Sequence, residues 1–147
     1  MKTVRTAHDA LPGLLEIYAI PLYNIQRIYG SSVYILNHSD YYKIVCTFDS
    51  LQHDVKHIDS IGGTVYQHSI GGFIFGSNPY NEMLFEEMGR NNHILVIRKD
   101  DGTYKRIGDK ETGLAFAFDF STATPGMSFT FSGDLLHNSF PAELPFL

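Results

Sequence analysis

The sequence predicts a mainly β protein with some α structure, folded as a small antiparallel β-barrel or β-sandwich with one short flanking helix. Aromatic residues make up 14% of the chain, with nine Tyr, eleven Phe and no Trp, and such side chains favour the half-buried surface of a sheet. Several segments alternate apolar and polar residues with the two-residue period of a strand. Helix signals are clear in one segment, which begins at Asn78-Pro79.

Length and charge limit the range of functions. A chain of 147 residues has the size of one domain with its own core, so we treat residues 1–147 as a single β-rich unit. The net charge of −5 and the scattered basic residues argue against direct nucleic-acid binding. We find neither a signal peptide nor an apolar run of membrane-spanning length. We therefore expect synthesis in the cytoplasm and no membrane partner.

The first 48 residues contain three predicted strands. Residues 14–20 mix apolar and polar positions and end at Pro21, which fits a strand end or a sheet edge. Residues 32–36 and 41–48 are β-branched and aromatic runs separated by turn-forming residues, and we expect them to form a hairpin. Cys46 lies in the second run, where a small buried hydrophobe is expected rather than a reactive thiol.

A long loop is predicted for residues 49–63, which are polar and end in Gly62-Gly63. The alternating run of residues 64–69 predicts the strand that follows. Gly71-Gly72 within its continuation predicts a bulge or bend, because glycine permits unusual backbone angles and close approach of another chain segment.

The helix is expected to begin with Asn78 as its N-cap, to place Pro79 at its first position and to end near Gly89. Residues 93–98 then form a compact apolar strand, and residues 104–107 return beside it after a turn.

Phenylalanine recurs at every second position in the last two predicted strands. Residues 114–120 and 127–132 alternate in this way, so their rings line one face of each strand. We expect the two strands to pair and their rings to pack on the core.

A zinc site is the most developed catalytic alternative. His53 and His57 are four positions apart, with Asp54 beside the first imidazole, and a helix would present both as zinc ligands. The zincin pattern has Glu at the second position on a long amphipathic helix, and this segment has neither. His68 could supply a third ligand only if the chain folds back. We expect an exposed loop with two His.

Other chemical signatures do not support an enzyme. Asp100 and Asp101 precede Gly102, as turn geometry favours, and are not expected to act as an acid–base pair. We find no nucleophile elbow, phosphate loop or dinucleotide fingerprint after a predicted strand. The sequence therefore predicts no catalytic residue, no cofactor and no metal ligand.

The C-terminal segment, residues 140–147, is too apolar for a disordered end and too rich in proline for a helix or central strand. We expect an extended tail that docks on a partner. The candidate interface residues lie in the predicted loop and in this tail: Asp54, His57, Ile61, Phe140, Pro141, Leu144, Phe146 and Leu147.

Four segments in the second half share an order with a known protein family. They are Phe85-Glu86-Glu87-Met88, Ile94-Leu95-Val96-Ile97, the Lys-Asp-Asp-Gly hairpin of residues 99–108, and the Phe-rich residues 127–133. In this order the block of residues 83–133 resembles small virion proteins encoded by phages and prophages of gut Bacteroidetes. The resemblance implies a structural part of a tail or head-to-tail connector, such as a tube, ring or terminator component, without active-site residues.

Three functions follow as hypotheses. The first is a non-enzymatic bacteriophage virion protein that assembles with copies of itself into a homo-oligomeric ring. Its other partners are neighbouring virion proteins. It would be made and assembled in the bacterial host cytoplasm and reside in the virion. The second is a monomeric β-barrel or sandwich that binds a small molecule or carbohydrate in an aromatic cleft. The third is a zinc hydrolase centred on His53 and His57.

Overall fold

The computed structural model describes residues 1–5, 14–47, 51–76, 78–99, 101–121 and 125–147. Twelve strands, a short 3-10 turn (Leu22–Asn24) and one α-helix lie in these ranges. In chain order they are β1 (Lys2–Arg5), β2 (Leu14–Pro21), β3 (Ile25–Tyr29), β4 (Ser32–Ile35), β5 (Tyr42–Thr47), β6 (Gln52–Ser60), β7 (Gly63–Phe75), α1 (Pro79–Met88), β8 (His93–Arg98), β9 (Tyr104–Ile107), β10 (Ala115–Ser121), β11 (Gly126–Leu135) and β12 (Phe140–Ala142).

The strands form two larger sheets and one separate pair. The six-stranded sheet has the order β1-β5-β2-β8-β9-β12, in which only β1 and β5 are parallel. The four-stranded sheet has the order β10-β11-β7-β6 and is antiparallel throughout, and β3 pairs with β4 alone. The predicted mainly β fold with one short helix is confirmed. Among the described residues the sheets are open, as in a sandwich.

The main core lies between the two larger sheets. Ile17 and Ile44 of the six-stranded sheet belong to the same buried cluster as Phe129 and Phe131 of the four-stranded sheet. The ring of Phe85 from α1 lies 5.8 Å from the ring of Phe129. The helix therefore contributes to the aromatic core that the two sheets share.

A second core covers the other face of the six-stranded sheet. Ile94 and Val96 of β8 pack there with Val33 and Ile35 of β4, and Phe146 near the C-terminus belongs to the same cluster. The six-stranded sheet is thus buried on both faces, which explains why residues 93–97 are all buried.

The helix and the later hairpins follow the sequence prediction. The side chain of Asn78 accepts a hydrogen bond from the Tyr80 backbone N–H at 2.9 Å, and Pro79 opens α1. Strand β8 pairs with β9, and β10 pairs with β11 in continuous register. Cys46 is fully buried, as expected. Asp100 of the predicted turn, and residues 122–124 between the Phe-rich strands, lie outside the described residues.

The early hairpin prediction is wrong. Strand β4 pairs with β3, whereas β5 lies between β1 and β2 in the six-stranded sheet. The Asn24 side chain explains the difference: its amide donates to the carbonyls of Asn37 and Asp40 at 2.9 and 2.7 Å. This contact orders the connection that carries the chain from one layer to the next. Pro21 ends β2, as predicted, but β2 is a central strand.

The predicted loop of residues 49–63 is also wrong, because Gln52–Ser60 forms β6. This strand pairs with β7 from Gln52 opposite Gly71 to Ser60 opposite Gly63. Its polar and charged residues are typical of an edge strand, where charge discourages uncontrolled pairing. Residues 49 and 50 lie outside the described residues.

Gly72 has the close contact that was expected, without the bulge. The register of β7 with β11 is continuous through this position, and its pairing with β6 is continuous up to the neighbouring Gly71. A Cβ atom on Gly72 would lie 2.8 Å from Cζ of Phe129. The glycine therefore leaves space for a core ring.

The C-terminal segment packs on its own chain and is not the separate extended tail that was expected, while docking of its exposed residues on a partner stays a prediction. Strand β12 pairs with β9. The Leu147 backbone N–H donates to the Val33 carbonyl, and the Ile35 N–H donates to the Leu147 carbonyl, at 2.9 and 2.8 Å. Phe146 is only 6% exposed because the second core covers it.

Candidate functional site

Strand β6 forms one edge of the four-stranded sheet and carries exposed side chains on both faces. Lys56 pairs with the exposed Gln67 of β7 and lies on the outer face. Val55 pairs with the buried His68 and lies on the face toward the core, yet its side chain is 39% exposed. The edge therefore presents a cation on one face and an apolar group on the other.

Strand β10 forms the opposite edge of this sheet. Asp119 pairs with the exposed Ser128 and lies on the outer face, whereas Phe120 pairs with the buried Met127 on the core face. Phe116, on the same face, is buried, but Phe120 is 58% exposed. The β10 edge thus presents an anion and an apolar ring on the faces that carry Lys56 and Val55 at the β6 edge.

The two edges are staggered along the strand direction. Gln52, Gly71, Thr130 and Ala117 form one row across the sheet. The start of β6 is therefore level with the middle of β10, and β6 extends further toward its hairpin turn. A stagger of register is a requirement for a sheet that closes around an axis.

The β6–β7 hairpin ends in an exposed apolar residue. Ile61 and Gly62 connect Ser60 to its partner Gly63, whose φ of 118° suits glycine. The relative exposure of Ile61 is 110%. An isoleucine held at the tip of an ordered hairpin is available to a partner.

The predicted interface residues fall into two groups. Asp54, His57 and Ile61 lie together on the β6–β7 hairpin and are exposed. The other five lie on or after β12 at the edge of the six-stranded sheet. There Pro141 is exposed and Leu147 is 49% exposed, and the rest are partly or fully covered: Phe140, Leu144 and Phe146.

Phe140 is covered by a cation from the neighbouring strand. The guanidinium carbon of Arg106 lies 4.5 Å from the centre of the Phe140 ring. An interface role remains a prediction for all eight residues, and the hairpin residues, Pro141 and Leu147 have the most accessible surface.

Sequence reasoning missed a chain of hydrogen-bonded groups on the core-facing side of β6. Nζ of Lys105 lies 2.8 Å from Nδ1 of His53, and Nε2 of His53 lies 3.1 Å from Nδ1 of His68. Nε2 of His68 lies 3.1 Å from the His137 carbonyl oxygen. The prediction of a loop hid this arrangement, because only the β6–β7 pairing makes His53 and His68 diagonal neighbours.

The groups around this series of hydrogen bonds disfavour a positive charge on the imidazole of His53. Burial, the Lys105 ammonium and His68 together lower the pKa of His53 to about 4, whereas Asp54 acts in the opposite direction. Burial and, more weakly, Lys99 lower the pKa of Lys105. His53 is therefore neutral at pH 7.

The geometry does not fit the zinc hypothesis. His53 and His57 lie on an extended strand, which separates residues four apart by about 13 Å. The ring centres of His53 and His68 are 5.4 Å apart and the facing nitrogens 3.1 Å apart, so the nitrogens lie nearly on the line between the rings. Zinc needs about 2.0–2.1 Å to each nitrogen and cannot fit between them.

One of two clefts borders the hydrogen-bonded series, because His68 belongs to its lining. This cleft, of about 490 Å³, lies at the four-stranded sheet and is lined by outer-face residues, including Asp54, Lys56 and Gln67, together with Val55 and His68. The other, of about 430 Å³, includes Tyr18, Tyr41 and Phe146 in its lining. The first borders the β6 edge, and the second is the aromatic cleft that a ligand-binding function would need.

No protein-family model, curated protein or solved structure matches this chain. No helix among the described residues has the length and apolar character needed to span a bilayer. The functional conclusion therefore depends on the geometry of the two sheet edges and on the resemblance of residues 83–133.

Proposed function

We propose that this chain is a non-enzymatic structural protein of a bacteriophage particle, a tail or head-to-tail connector component that assembles into a homo-oligomeric ring. One observation carries the proposal: the edges β6 and β10 of the four-stranded sheet are complementary to each other. Each pairs with a single strand among the described residues. The resemblance of residues 83–133 supports the phage setting.

Strand direction allows the sheet to continue from one copy to the next. Four antiparallel strands alternate in direction, so β6 runs opposite to β10. When a second copy is placed beside the first in the same orientation, its β10 lies antiparallel to β6. Such a head-to-tail contact uses two different surfaces and closes into a ring when the rotation between copies permits.

The side chains favour one register for this joint. Residues that face each other across two strands must share a face of the sheet. Lys56 opposite Asp119 of the neighbouring copy meets this condition and pairs opposite charges, and it places Val55 opposite Phe120. All seven residues of β10 then lie beside β6. A shift of two residues would instead oppose Asp119 to Asp54.

The apolar pair provides the main favourable energy of this joint. Full burial of an aliphatic or aromatic side chain contributes about 1.5–3 kcal/mol, and Val55 and Phe120 are both partly exposed in the single copy. The ion pair contributes about 0.2–1 kcal/mol at an exposed site and mainly selects the register. The acidic chain would also suit a tube lumen that does not retain DNA.

A charge exchange tests the joint. We expect Lys56→Asp and Asp119→Lys each to reduce the assembled fraction, because each creates a like-charge pair at every joint. The double variant should restore assembly, since it exchanges the charges. The mass of each protein is measured by light scattering over a range of concentrations. Glu111→Lys, a similar change at an exposed turn, is the control and should assemble like the unmodified protein.

Two results would count against the joint: single variants that assemble normally, or a double variant no better than the single ones. A strictly monomeric unmodified protein would count against the ring itself. It would favour the second function, a small-molecule or carbohydrate-binding module. The specific support for that module is the cleft lined by Tyr18, Tyr41 and Phe146, of about 430 Å³.

A further inference from the structure

The hydrogen bonds that connect Lys105, His53, His68 and the His137 carbonyl run in one direction. The carbonyl oxygen only accepts, so Nε2 of His68 carries the proton and its Nδ1 accepts when the ring is neutral. His53 must then donate from Nε2 to His68, which leaves its own Nδ1 to accept from Lys105. Both imidazoles are thereby fixed as neutral Nε2–H tautomers.

This series of hydrogen bonds connects separate parts of the fold. His53 lies on β6 and His68 on β7, both in the four-stranded sheet, whereas Lys105 lies on β9 of the six-stranded sheet. His137 follows β11. The contact between His53 and Lys105 is therefore a polar contact across the two sheets, made by an edge strand.

We propose that Lys105, His53 and His68 form an acid-sensitive clamp that holds the β6 edge strand against the six-stranded sheet. Protonation of His53 at Nδ1 removes the acceptor for Lys105 and places two cations 2.8 Å apart. Protonation of His68 at Nδ1 makes its ring and the His53 ring both donors across 3.1 Å. Either protonation breaks this series of hydrogen bonds, so acid releases β6 from the six-stranded sheet.

The charges around the clamp set the direction of its pH response. Lys105 faces His53 from β9, His68 faces it from β7, and Asp54 is its neighbour on β6. Lys99 acts on Lys105. Lys105 lowers the pKa of His53, so replacing Lys105 should raise that pKa. Asp54 raises the pKa of His53, so replacing Asp54 should lower it.

The linkage to pH follows from proton binding. In the closed form the pKa of His53 is about 4, and in the released form it returns to its ordinary value of about 6.5. The released form binds the extra proton in this window. Opening therefore becomes more favourable as pH falls from about 6.5 to about 4, by up to about tenfold per pH unit.

The clamp bears on assembly through the strand that it holds, and this consequence alone rests on the proposed function. Val55, which we place in the joint between copies, lies two positions from His53 on the same face of β6. A β6 strand that has lost this contact stays paired with β7, but it holds Val55 and Lys56 less rigidly in position. Acid would thus weaken the ring at the joint.

Histidine exchange and amide exchange test the clamp on the full chain. Exchange of the imidazole C2 hydrogen, followed by mass spectrometry from pH 3 to 8, gives the pKa of each histidine. We expect a value for His53 well below the ordinary histidine value of about 6.5, and an increase for His53 in Lys105→Met. Amide exchange of β6, corrected for its intrinsic pH dependence, should show progressively weaker protection from pH 6.5 to pH 4.

The fully buried His93 requires a control, because burial lowers its pKa to about 4 as well. Acid should therefore weaken the whole fold, and the clamp predicts an additional loss confined to β6. His57→Gln should keep that additional loss, His53→Gln should reduce it, and the double variant with His53→Gln and His68→Gln should abolish it. The clamp is contradicted if the pKa of His53 lies at the ordinary histidine value of about 6.5, or if β6 protection falls only in parallel with β8. Amide exchange is measured at a concentration at which the protein is monomeric, so neither readout depends on whether copies assemble.

Discussion

Gly72 shows how one residue can determine the packing of the aromatic core. Its position opposite Phe129 leaves no room for a Cβ atom, which would lie 2.8 Å from Cζ of that ring. The Phe129 side chain is 1% exposed and its ring lies 5.8 Å from that of Phe85, so it has little freedom to move. Glycine is required at position 72 because a side chain has no space beside the Phe129 ring. The backbone there is in an ordinary extended conformation.

Substitution of this glycine should destabilise the protein. We expect Gly72→Ala to lower the free energy of unfolding by about 1–3 kcal/mol, because overpacking forces shifts in a closely packed core. Chemical denaturation of the variant and the unmodified protein measures the difference. Ser69→Ala, at an exposed position on the same strand, is the control and should change stability by less than about 0.5 kcal/mol. Equal stabilities for Gly72→Ala and the unmodified protein would contradict this packing.

Individual residues differ in how far the sequence reveals their roles. The buried state of Cys46 and the close approach at Gly72 follow from residue type and local pattern, and both are found. The contact between Lys105 and His53 joins positions 52 residues apart and depends on how two sheets face each other. Local pattern has no information on that arrangement.

At the scale of elements, α1 is determined by its own sequence. Asn78 caps the first turn, Pro79 opens the helix, and Leu84, Phe85 and Met88 form the buried side. These signals are local, so the sequence predicts the helix with nearly correct ends.

The helix cap contributes measurably to the free energy of unfolding. We expect Asn78→Ala to reduce the free energy of unfolding by about 1 kcal/mol, since it leaves the Tyr80 N–H without its acceptor. Thermal or chemical unfolding measures the change. Asn138→Ala, at an exposed position, is the matched control. The same loss in both variants, or none in Asn78→Ala, would contradict the capping role.

Edge strand β6 is the element that the sequence hides. Its residues are mainly exposed, with Asp54, Lys56 and Asp59 among them, and such a pattern is shared by loops and by edge strands. Its pairing with β7 supplies the missing information. The pairing of β4 with β3 was missed for a similar reason, because Ile25–Tyr29 is short and has only one fully buried residue.

At the scale of the whole molecule, the same sheet has a buried face and two complementary edges. The Phe-rich strands were expected to pack on the core, and Phe116, Phe129 and Phe131 do so. Phe120 continues the same pattern but remains 58% exposed. The alternation in sequence reveals which face a residue occupies, but only the assembled sheet reveals where the core ends and an accessible edge begins.

In the proposed ring, β6 of one copy lies beside β10 of the next. Residues opposite each other in an antiparallel pair have Cα atoms about 4.5–5.5 Å apart, within the range that a disulfide spans. A protein with both Lys56→Cys and Asp119→Cys therefore carries one cysteine at each edge. Oxidation can connect copies in a continuous series, whereas a protein with one of these cysteines can form at most pairs, because native Cys46 is buried.

The decisive measurement is the size distribution of the oxidised double-cysteine protein under denaturing, non-reducing conditions. We predict a ladder of covalent multimers above the dimer that ends at the size of the ring, and collapse to the monomer on reduction. The two single-cysteine proteins should show no species above the dimer. A double-cysteine protein that gives only monomers and dimers would contradict the head-to-tail joint between β6 and β10.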